Sequence, residues 1–447
     1  MVNFIYDHSP IFLQNIFVTL KGIQIYKQRY NKNYMQEISI LKNTDEFELQ
    51  RYRLKEFLNY VRYNSEYFAL KLPQINEENE LNKMKDIPYL TKEDIRNHID
   101  DIITRKKDLI LMETGGSTGK RLKIYTHYSD ISRRIAYLDY FKEKHGVKKG
   151  MRRASIGGRV LIPANQKSKV FWRHNYVLNQ LLFSIFHAGT DNIKYYVQEL
   201  NRFKPQSIDG VPSVIHRMAQ YINDNQIELT FQPIAIFPTA ETLTIEMKAD
   251  IERAFRCKTY DQYASSEGAP FIIQNNEGGY DICPATGYFE LEKIEGNIYE
   301  LIVTAFYTTT TPLIRYKIGD AVELIEPLPD DYKQTDIKIK RIIGRNNDFL
   351  MSNEKGIVYN INLASVSRQL GANIKESQFI QNKLDEIIIN LVVDHEKDKE
   401  LIEKNLTEVM NMRFGNSTKY KVNYVDEIER TQGGKTRLTI NNLDKFN

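Results

Sequence analysis

Glu113-Thr114-Gly115-Gly116-Ser117-Thr118-Gly119-Lys120 is the stretch on which the reading of this chain turns. It lies between Leu109-Ile110-Leu111-Met112, a short apolar run, and Leu122-Lys123-Ile124-Tyr125, which alternates like a strand. Three glycines let the backbone adopt positive φ and come close to a ligand. Consecutive N–H groups in such a turn form a concave anion site. Ser117 and Thr118 add hydroxyl donors and Lys120 adds charge, so the physical match is a polyphosphate. On its own, a hairpin turn that merely needs glycine explains the stretch equally well. A Walker A loop is excluded, because that motif opens on glycine and follows its lysine with Ser or Thr, and here Thr114 and Arg121 hold those places. Gly433-Gly434-Lys435-Thr436 fails likewise, since Glu429 stands at the glycine position.

Outward from this turn the chain changes character. Before it, the sequence reads as helical: Leu54, Phe57, Leu58 and Val61 recur at helical spacing, and Thr91 with Asp94 makes a helix start. After it, short apolar strands alternate with helices, as in an α/β region. Ile193 to Phe203 and Ile245 to Phe255 read as helices, and Ile234 to Phe237 as a buried strand. Tyr288 to Leu291 and Ile298 to Thr304 suggest antiparallel strands. Phe183, Phe186 and His187 follow the aromatic segment Phe171-Trp172-Arg173-His174-Asn175 at helical spacing. Core packing explains those aromatics as well as an acyl pocket does. Past Gly344 a smaller unit follows, with strands over Glu386 to Val393 and Lys419 to Val425 around a helix over Lys397 to Phe414. We therefore expect an α/β fold with three parts: a helical part at 1–108, a core at 109–345 and a C-terminal domain at 346–447.

Composition bounds the function. The chain has 447 residues, 41% hydrophobic and 27% charged, which suits a globular protein. Its 62 basic and 58 acidic residues leave a net charge of +4, so bulk charge does not point to nucleic acid. Cys257 and Cys283 are the only cysteines, too few for a disulfide framework or a cysteine-rich zinc site, and a reducing cytoplasm is expected. At the N-terminus, Phe12, Ile16, Leu20 and Ile23 have the spacing of an amphipathic helix. Asp7 before the run and Gln14-Asn15 within it speak against a signal peptide. The reading preferred here docks this helix on its own domain, and Lys21, Lys27 and Arg29 offer a weak contact with anionic lipid as the alternative.

Four more segments share the flavour of the glycine-rich turn. Asp261-Gln262-Tyr263-Ala264-Ser265-Ser266-Glu267-Gly268 joins an aromatic to a carboxylate. Pro312-Leu313-Ile314-Arg315-Tyr316-Lys317-Ile318-Gly319-Asp320 ends an apolar stretch on an acid. Gly344-Arg345-Asn346-Asn347-Asp348 sits where the domains are expected to meet, and Arg430-Thr431-Gln432-Gly433-Gly434-Lys435 carries a lysine on a glycine-rich loop. In this order, and with Asn59 to Phe68, Pro88 to Arg96 and Lys204 to Ser213, they resemble the adenylate-forming enzymes over almost the whole chain. The closest resemblance is to phenylacetate–CoA ligases and their CapK-like relatives, often associated with surface-polysaccharide genes.

The resemblance implies a large N-terminal acyl-adenylate-forming domain and a small mobile C-terminal α+β domain. It implies ATP-dependent activation of a small carboxylic acid as acyl-AMP, then acyl transfer, by default to coenzyme A. An amine acceptor in surface-polysaccharide synthesis is the alternative within enzymes, and a silent nucleotide-binding protein the alternative outside them. By the same resemblance, Thr114, Gly115, Gly116, Ser117, Thr118, Gly119 and Lys120 hold the ATP phosphates. Ala240 and Glu241 lie along adenine, Tyr263 stacks near it, and Glu267 holds Mg²⁺. Asp320 takes the ribose hydroxyls with help from Arg345, Lys435 serves adenylation, and Asn347 is the hinge. The chain departs from the family at Gly115, where a hydroxyl residue is usual, at Arg121, where proline is common, and at Asn347, where aspartate is usual.

Overall fold

The computed structural model describes residues 2–73, 84–114, 122–163, 166, 168–189, 191–345, 349–354, 356–359, 363, 366, 374–393, 399–430 and 436–443. The chain divides into two compact units, residues 1–318 with 323–341, and residues 319–322 with 342–447.

Helices open the first unit: α1 (Val2–His8), α2 (Ile11–Arg29), α3 (Lys32–Asn43), α4 (Glu46–Asn64), α5 (Glu66–Ala69) and α6 (Lys92–Ile102). The Asp45 side chain accepts from the Phe47 and Glu48 N–H groups and so starts α4, which buries Leu54, Phe57, Leu58 and Val61 as their spacing predicts. The expected capping box of Thr91 and Asp94 starts α6. Next, β1 (Ile110–Thr114) and β2 (Leu122–Thr126) pair antiparallel, and α7 (Tyr128–Lys144) follows.

A six-stranded sheet comes next, built from β3 (Arg153–Gly157), β4 (Trp172–Asn175), β5 (Gln180–Ser184), β6 (Ser207–Gly210), β7 (Ala235–Pro238) and β8 (Lys258–Thr259) in the order β4-β5-β3-β6-β7-β8. All pairs are parallel except β4 with β5. The connecting helices α8 (Ile193–Phe203), α9 (Pro212–Asp224) and α10 (Ile245–Phe255) share a core with the sheet that includes Ile156, Phe183, Ile208, Met218, Ile236 and Phe255. Strands buried on both faces need apolar runs, which Ala235-Ile236-Phe237 supplies.

One expectation is corrected here and one is met through a different face. Phe183 is on a strand, opposite Ile156 and Trp172 in the ladders, and Phe186 and His187 lie in the turn that follows. A short apolar run buried between neighbours pairs as a strand whatever its apparent helical spacing. Phe171 stacks on His187 at 5.3 Å and on Tyr196 at 5.9 Å, so the aromatic segment serves the core. α2 docks on its own domain as expected, through a face other than its apolar stripe. Its Phe12, Ile16, Leu20 and Ile23 are exposed, and its buried face is Gln14, Val18 and Gly22. That face covers β4, the open edge of the sheet. Asn15 Oδ1 accepts the His174 N–H at 3.0 Å, and Thr19 Oγ1 accepts the Tyr176 N–H at 3.3 Å. An edge strand demands polar partners, so the polar side of the helix turns inward.

A seven-stranded sheet runs in the order β12-β13-β14-β15-β11-β10-β9. Its strands are β9 (Gln262–Tyr263), β10 (Ile272–Gln274), β11 (Tyr280–Ile282), β12 (Gly287–Glu295), β13 (Ile298–Ala305), β14 (Tyr316–Leu324) and β15 (Ile339–Arg345). β12 and β13 are the expected antiparallel pair. In the second unit, β16 (Phe349–Ser352) pairs β17 (Gly356–Tyr359). There β18 (Ile374–Lys383), β19 (Glu386–Val393), β20 (Lys419–Tyr424) and β21 (Thr439–Asn441) form a sheet in the order β20-β19-β18-β21, with α11 (Lys399–Phe414) between β19 and β20 along the chain. α11 buries Leu406, Met410 and Phe414 in one cluster with Phe379, Ile387 and Ile389. Among the described residues no helix is long and apolar enough to cross a membrane.

Two expected outcomes follow from this packing. Gly210 ends β6 at φ 145°, and a Cβ there would fall 2.0 Å from the Ile156 carbonyl oxygen. Gly210→Ala should therefore cost roughly 2 kcal/mol or more of stability; an unchanged urea midpoint would contradict the close approach. Asp261, buried before β9, accepts from the Tyr280 hydroxyl at 2.7 Å and the Gln262 N–H at 2.9 Å. Burial pushes its carboxyl up to about 6, against the pull of those bonds and of Lys248. Between its unfolded value near 4 and 6 the native state holds a proton that the unfolded chain releases. That contribution is present below the unfolded value and lost as pH rises through 6. Asp261→Asn removes the titration, so its unfolding free energy relative to wild type should rise by about 3 kcal/mol from pH 4 to pH 7. Parallel pH profiles for the two proteins would refute the shift.

Candidate functional site

The candidate site is built on α7, whose first turns grip two loops far along the chain. Asp130 is buried, and its two carboxylate oxygens accept from Thr309 and Thr310, each through backbone and hydroxyl, at 2.6–3.3 Å. Arg133 closes on the same carboxylate at 2.9 Å. Thr311 Oγ1 accepts the Tyr125 N–H at 3.0 Å and donates to the Tyr125 carbonyl at 2.7 Å. The threonine loop is thereby tied to β2, the strand that follows the glycine-rich turn.

Arg134, one turn into α7, reaches the loop after β9. Its Nη1 donates to the carbonyls of Gly268 at 2.6 Å and Ala269 at 3.0 Å, and Nη2 donates to Ser265 at 3.5 Å. Its guanidinium also lies 4.7 Å from the Phe271 ring centre. Burial lowers Arg134 to about 10, so it stays charged at neutral pH, with Tyr307, Asp130 and Glu267 opposing the drop. Glu267, itself buried, sits inside the loop that Arg134 holds. Gly268 has φ 102°, and a Cβ there would lie 2.6 Å from Thr308 Cγ2, so the loop passes close to the threonine segment only because residue 268 is glycine.

Ligands of open α/β sheets collect at the carboxyl ends of the parallel strands. There β7 leads into Thr239-Ala240-Glu241. The Thr239 N–H donates to the Gly210 carbonyl at 2.9 Å, and Ala240 takes φ 77°, a left-handed conformation that costs a non-glycine residue energy. The Glu241 carboxylate accepts the Ser213 N–H at 3.3 Å in the first turn of α9, where the helix dipole favours negative charge. Tyr263, half-buried on β9, pairs opposite Ile272. At the same edge Asp209 lies 3.7 Å from Lys142 and 3.3 Å from Arg153, and accepts the Ser155 hydroxyl at 3.1 Å. Burial alone would raise the Asp209 carboxyl; Lys142, Arg153 and Ser155 outweigh it and hold the group below its ordinary value.

Of the residues singled out in the sequence, Ala240, Glu241, Tyr263 and Glu267 thus lie on loops and strand ends of the first unit. Asp320 is buried on β14. Thr114 ends β1 and Arg345 ends β15. Their side chains lie outside the described residues, as do Gly115, Gly116, Ser117, Thr118, Gly119, Lys120, Asn347 and Lys435. Among the described residues no group of three or more His, Cys, Asp or Glu side chains could hold a metal ion. Asp130 and Arg134 escape the sequence reading, because nothing local marks them as partners of loops so distant. Arg315 was read only as part of its motif. It takes φ 45°, meets Glu290 at 2.8 Å and donates to the Lys85 carbonyl at 2.9 Å, so it braces the segment that leads to Asp320.

Residues 350–442 match the CapK C-terminal domain. Protein CapK of Staphylococcus aureus is 55% identical over 452 residues, covering 99% of this chain and 100% of that protein. A 2-hydroxyisobutyryl-CoA ligase in its postadenylation state, in complex with R3-HIB-AMP, shares the fold at a TM-score of 0.68 and 15% identity, over 89% of this chain and 90% of that one. ATP-bound MatB from Rhodopseudomonas palustris does so at a TM-score of 0.50 and 13% identity, over 75% and 68%. The chain belongs to the CapK family, and its fold is that of the adenylate-forming ligases.

Proposed function

We propose that this chain activates a carboxylic acid with ATP and passes the acyl group to coenzyme A. In the first step the carboxylate oxygen attacks the α-phosphorus, the α–β anhydride bond breaks, and pyrophosphate leaves. In the second the acceptor sulfur attacks the acyl carbonyl and AMP leaves. The observation that carries the reading is Glu267, buried in a loop that Arg134 fixes through three carbonyls, within a fold whose relatives include ligands such as ATP and an acyl-adenylate in their solved structures. Coenzyme A is the default acceptor because the 2-hydroxyisobutyryl enzyme of the same fold is a CoA ligase.

The roles follow from charge. A carboxylate approaching ATP brings two anions together. Mg²⁺ is held by one or two carboxylates plus phosphate oxygens, which suits a single acid such as Glu267, and when bound it offsets charge on the phosphates. Thr114 to Lys120 present N–H groups and a cation to the same phosphates. Asp320, an acceptor, suits the ribose diol, and Arg345 assists it. Lys435 reaches the carboxylate and α-phosphate during adenylation, and Asn347 is the pivot between the two half-reactions. Asp130, Arg133 and Arg134 are positioning residues. They keep the Glu267 loop and the threonine loop in place before the nucleotide arrives. A reaction that consumes ATP and coenzyme A belongs in the cytoplasm.

A panel of carboxylic acids assayed for pyrophosphate–ATP exchange, with coenzyme A present and absent, tests the whole reading. AMP release and a thioester only on adding coenzyme A are expected. Turnover that ignores coenzyme A and needs an amine would replace the acceptor, and exchange with no acid would end the proposal. Glu267→Gln should lower Mg²⁺-dependent exchange by about a hundredfold or more; an unchanged rate with unchanged Mg²⁺ dependence would remove Glu267 from the site. Lys435→Ala should slow acyl-AMP formation by about a hundredfold or more, yet transfer the acyl group from synthetic acyl-AMP at near the wild-type rate. Asn347→Pro should do the reverse, forming acyl-AMP and then stalling. Quenched-flow measurement of both steps decides, and an equal loss of both in Lys435→Ala would sink the alternation.

A further inference from the structure

We infer that α2 rests on the surface of an anionic lipid bilayer, through the apolar stripe it turns away from its own domain. Phe12 is 63% exposed, Ile16 47%, Leu20 56% and Ile23 39%, with Phe17 beside them at 38%. Steps of four, four and three residues put the first four on one line, about 17 Å long at the rise of an α-helix. Single exposed apolar residues need no explanation, but a continuous stripe along one helix does.

The opposite face is committed to protein. Gln14 Oε1 accepts from Arg173 Nε at 2.7 Å, Asn15 and Thr19 take the His174 and Tyr176 N–H groups, and Gly22 faces Asn175. With that face occupied and polar, α2 cannot enter a bilayer, and it can only lie on one. Charge selects the occupant. Lys27 continues the line of the stripe one turn past Ile23, Lys21 follows Phe17 by one turn on the flank, and both are exposed, as is Lys32 just beyond. Asp7 is the one acid among residues 1–32. An apolar stripe with lysines at its margin, lying in the plane of the surface, fits anionic headgroups over an acyl boundary. A second copy of the chain would bring the same lysines together.

Co-sedimentation of the full chain with vesicles of phosphatidylcholine, alone or mixed with phosphatidylglycerol, tests this. Binding to the mixed vesicles about tenfold or more above the neutral ones, weakening with salt, is expected. The double substitution Ile16→Gln with Leu20→Gln should cut that binding by about tenfold or more, and Lys21→Glu with Lys27→Glu should abolish the preference for phosphatidylglycerol. Both variants alter only exposed side chains, so both should melt as the wild type does. No binding to the mixed vesicles, or equal binding by the Ile16/Leu20 variant, overturns the inference. So does a wild type that self-associates in sedimentation velocity and ignores vesicles, with an Ile16/Leu20 variant that is monomeric, since the stripe would then be an interface between copies.

Discussion

Arg134 donates to three backbone carbonyls in one loop while Asp130, one turn before it, accepts four bonds from another. Buried charge is costly unless its hydrogen-bonding capacity is met, and here it is met by main-chain and hydroxyl groups of segments that have no regular structure to hold them. A loop fixed by side chains of a helix gains the rigidity of that helix. The Glu267 loop and the threonine loop therefore take their positions from α7, and α7 packs on α3, where the Tyr34 hydroxyl donates to Asp139 at 3.0 Å. Removing either charge would strand the polar groups of the loop it holds in a dry environment, a heavier loss than any single contact is worth.

The same helix continues to the sheet. Tyr137 stacks on Phe271 at 5.3 Å, and Lys142 lies beside Asp209 at the carboxyl end of β6. One element thus contacts the loop after β9, the threonine loop and the edge where β6 and β7 end. The proposed function asks for this arrangement: groups that would meet a nucleotide's charge must already be held, because reorganising them during the reaction would consume the stabilisation they give. The left-handed Ala240 and the close approach of Gly268 to Thr308 are local costs of the kind that cluster at such edges.

What was legible in the sequence was what is local. The helix over Ile193–Phe203, the strand Glu386–Val393 and the capping box of Thr91 with Asp94 each depend on residues a few positions apart. The adenylate-forming fold was legible through several short segments in family order, and the likeness to solved structures bears that fold out. Arg134 with Gly268, and Asp130 with Thr309, were not legible: well over a hundred residues separate each pair, and only the folded chain brings them together. Phe183 was misread because an apolar run buried on both sides carries no period of its own. Arg315 was legible as part of a motif but not as a brace, since its partner Glu290 lies on β12, out of sight of any local pattern.

α2 docks on its own domain as its spacing suggested, but not through the apolar stripe, although burying a large aliphatic or aromatic side chain is worth about 1.5–3 kcal/mol. The helix instead spends its inner face on the edge of the sheet, where the Asn15 and Thr19 contacts each return about 1 kcal/mol. An open β4 edge would leave backbone groups unpaired and invite other strands, so the edge must be covered. Covering it with polar side chains while Phe12, Ile16, Leu20 and Ile23 face water leaves more apolar free energy ungained than the edge bonds recover. A helix that needed only to cover the edge could carry polar residues on its far side at no loss. The apolar residues there are the ones the proposed bilayer contact would use, and Lys27, in line with them, would lie among its headgroups.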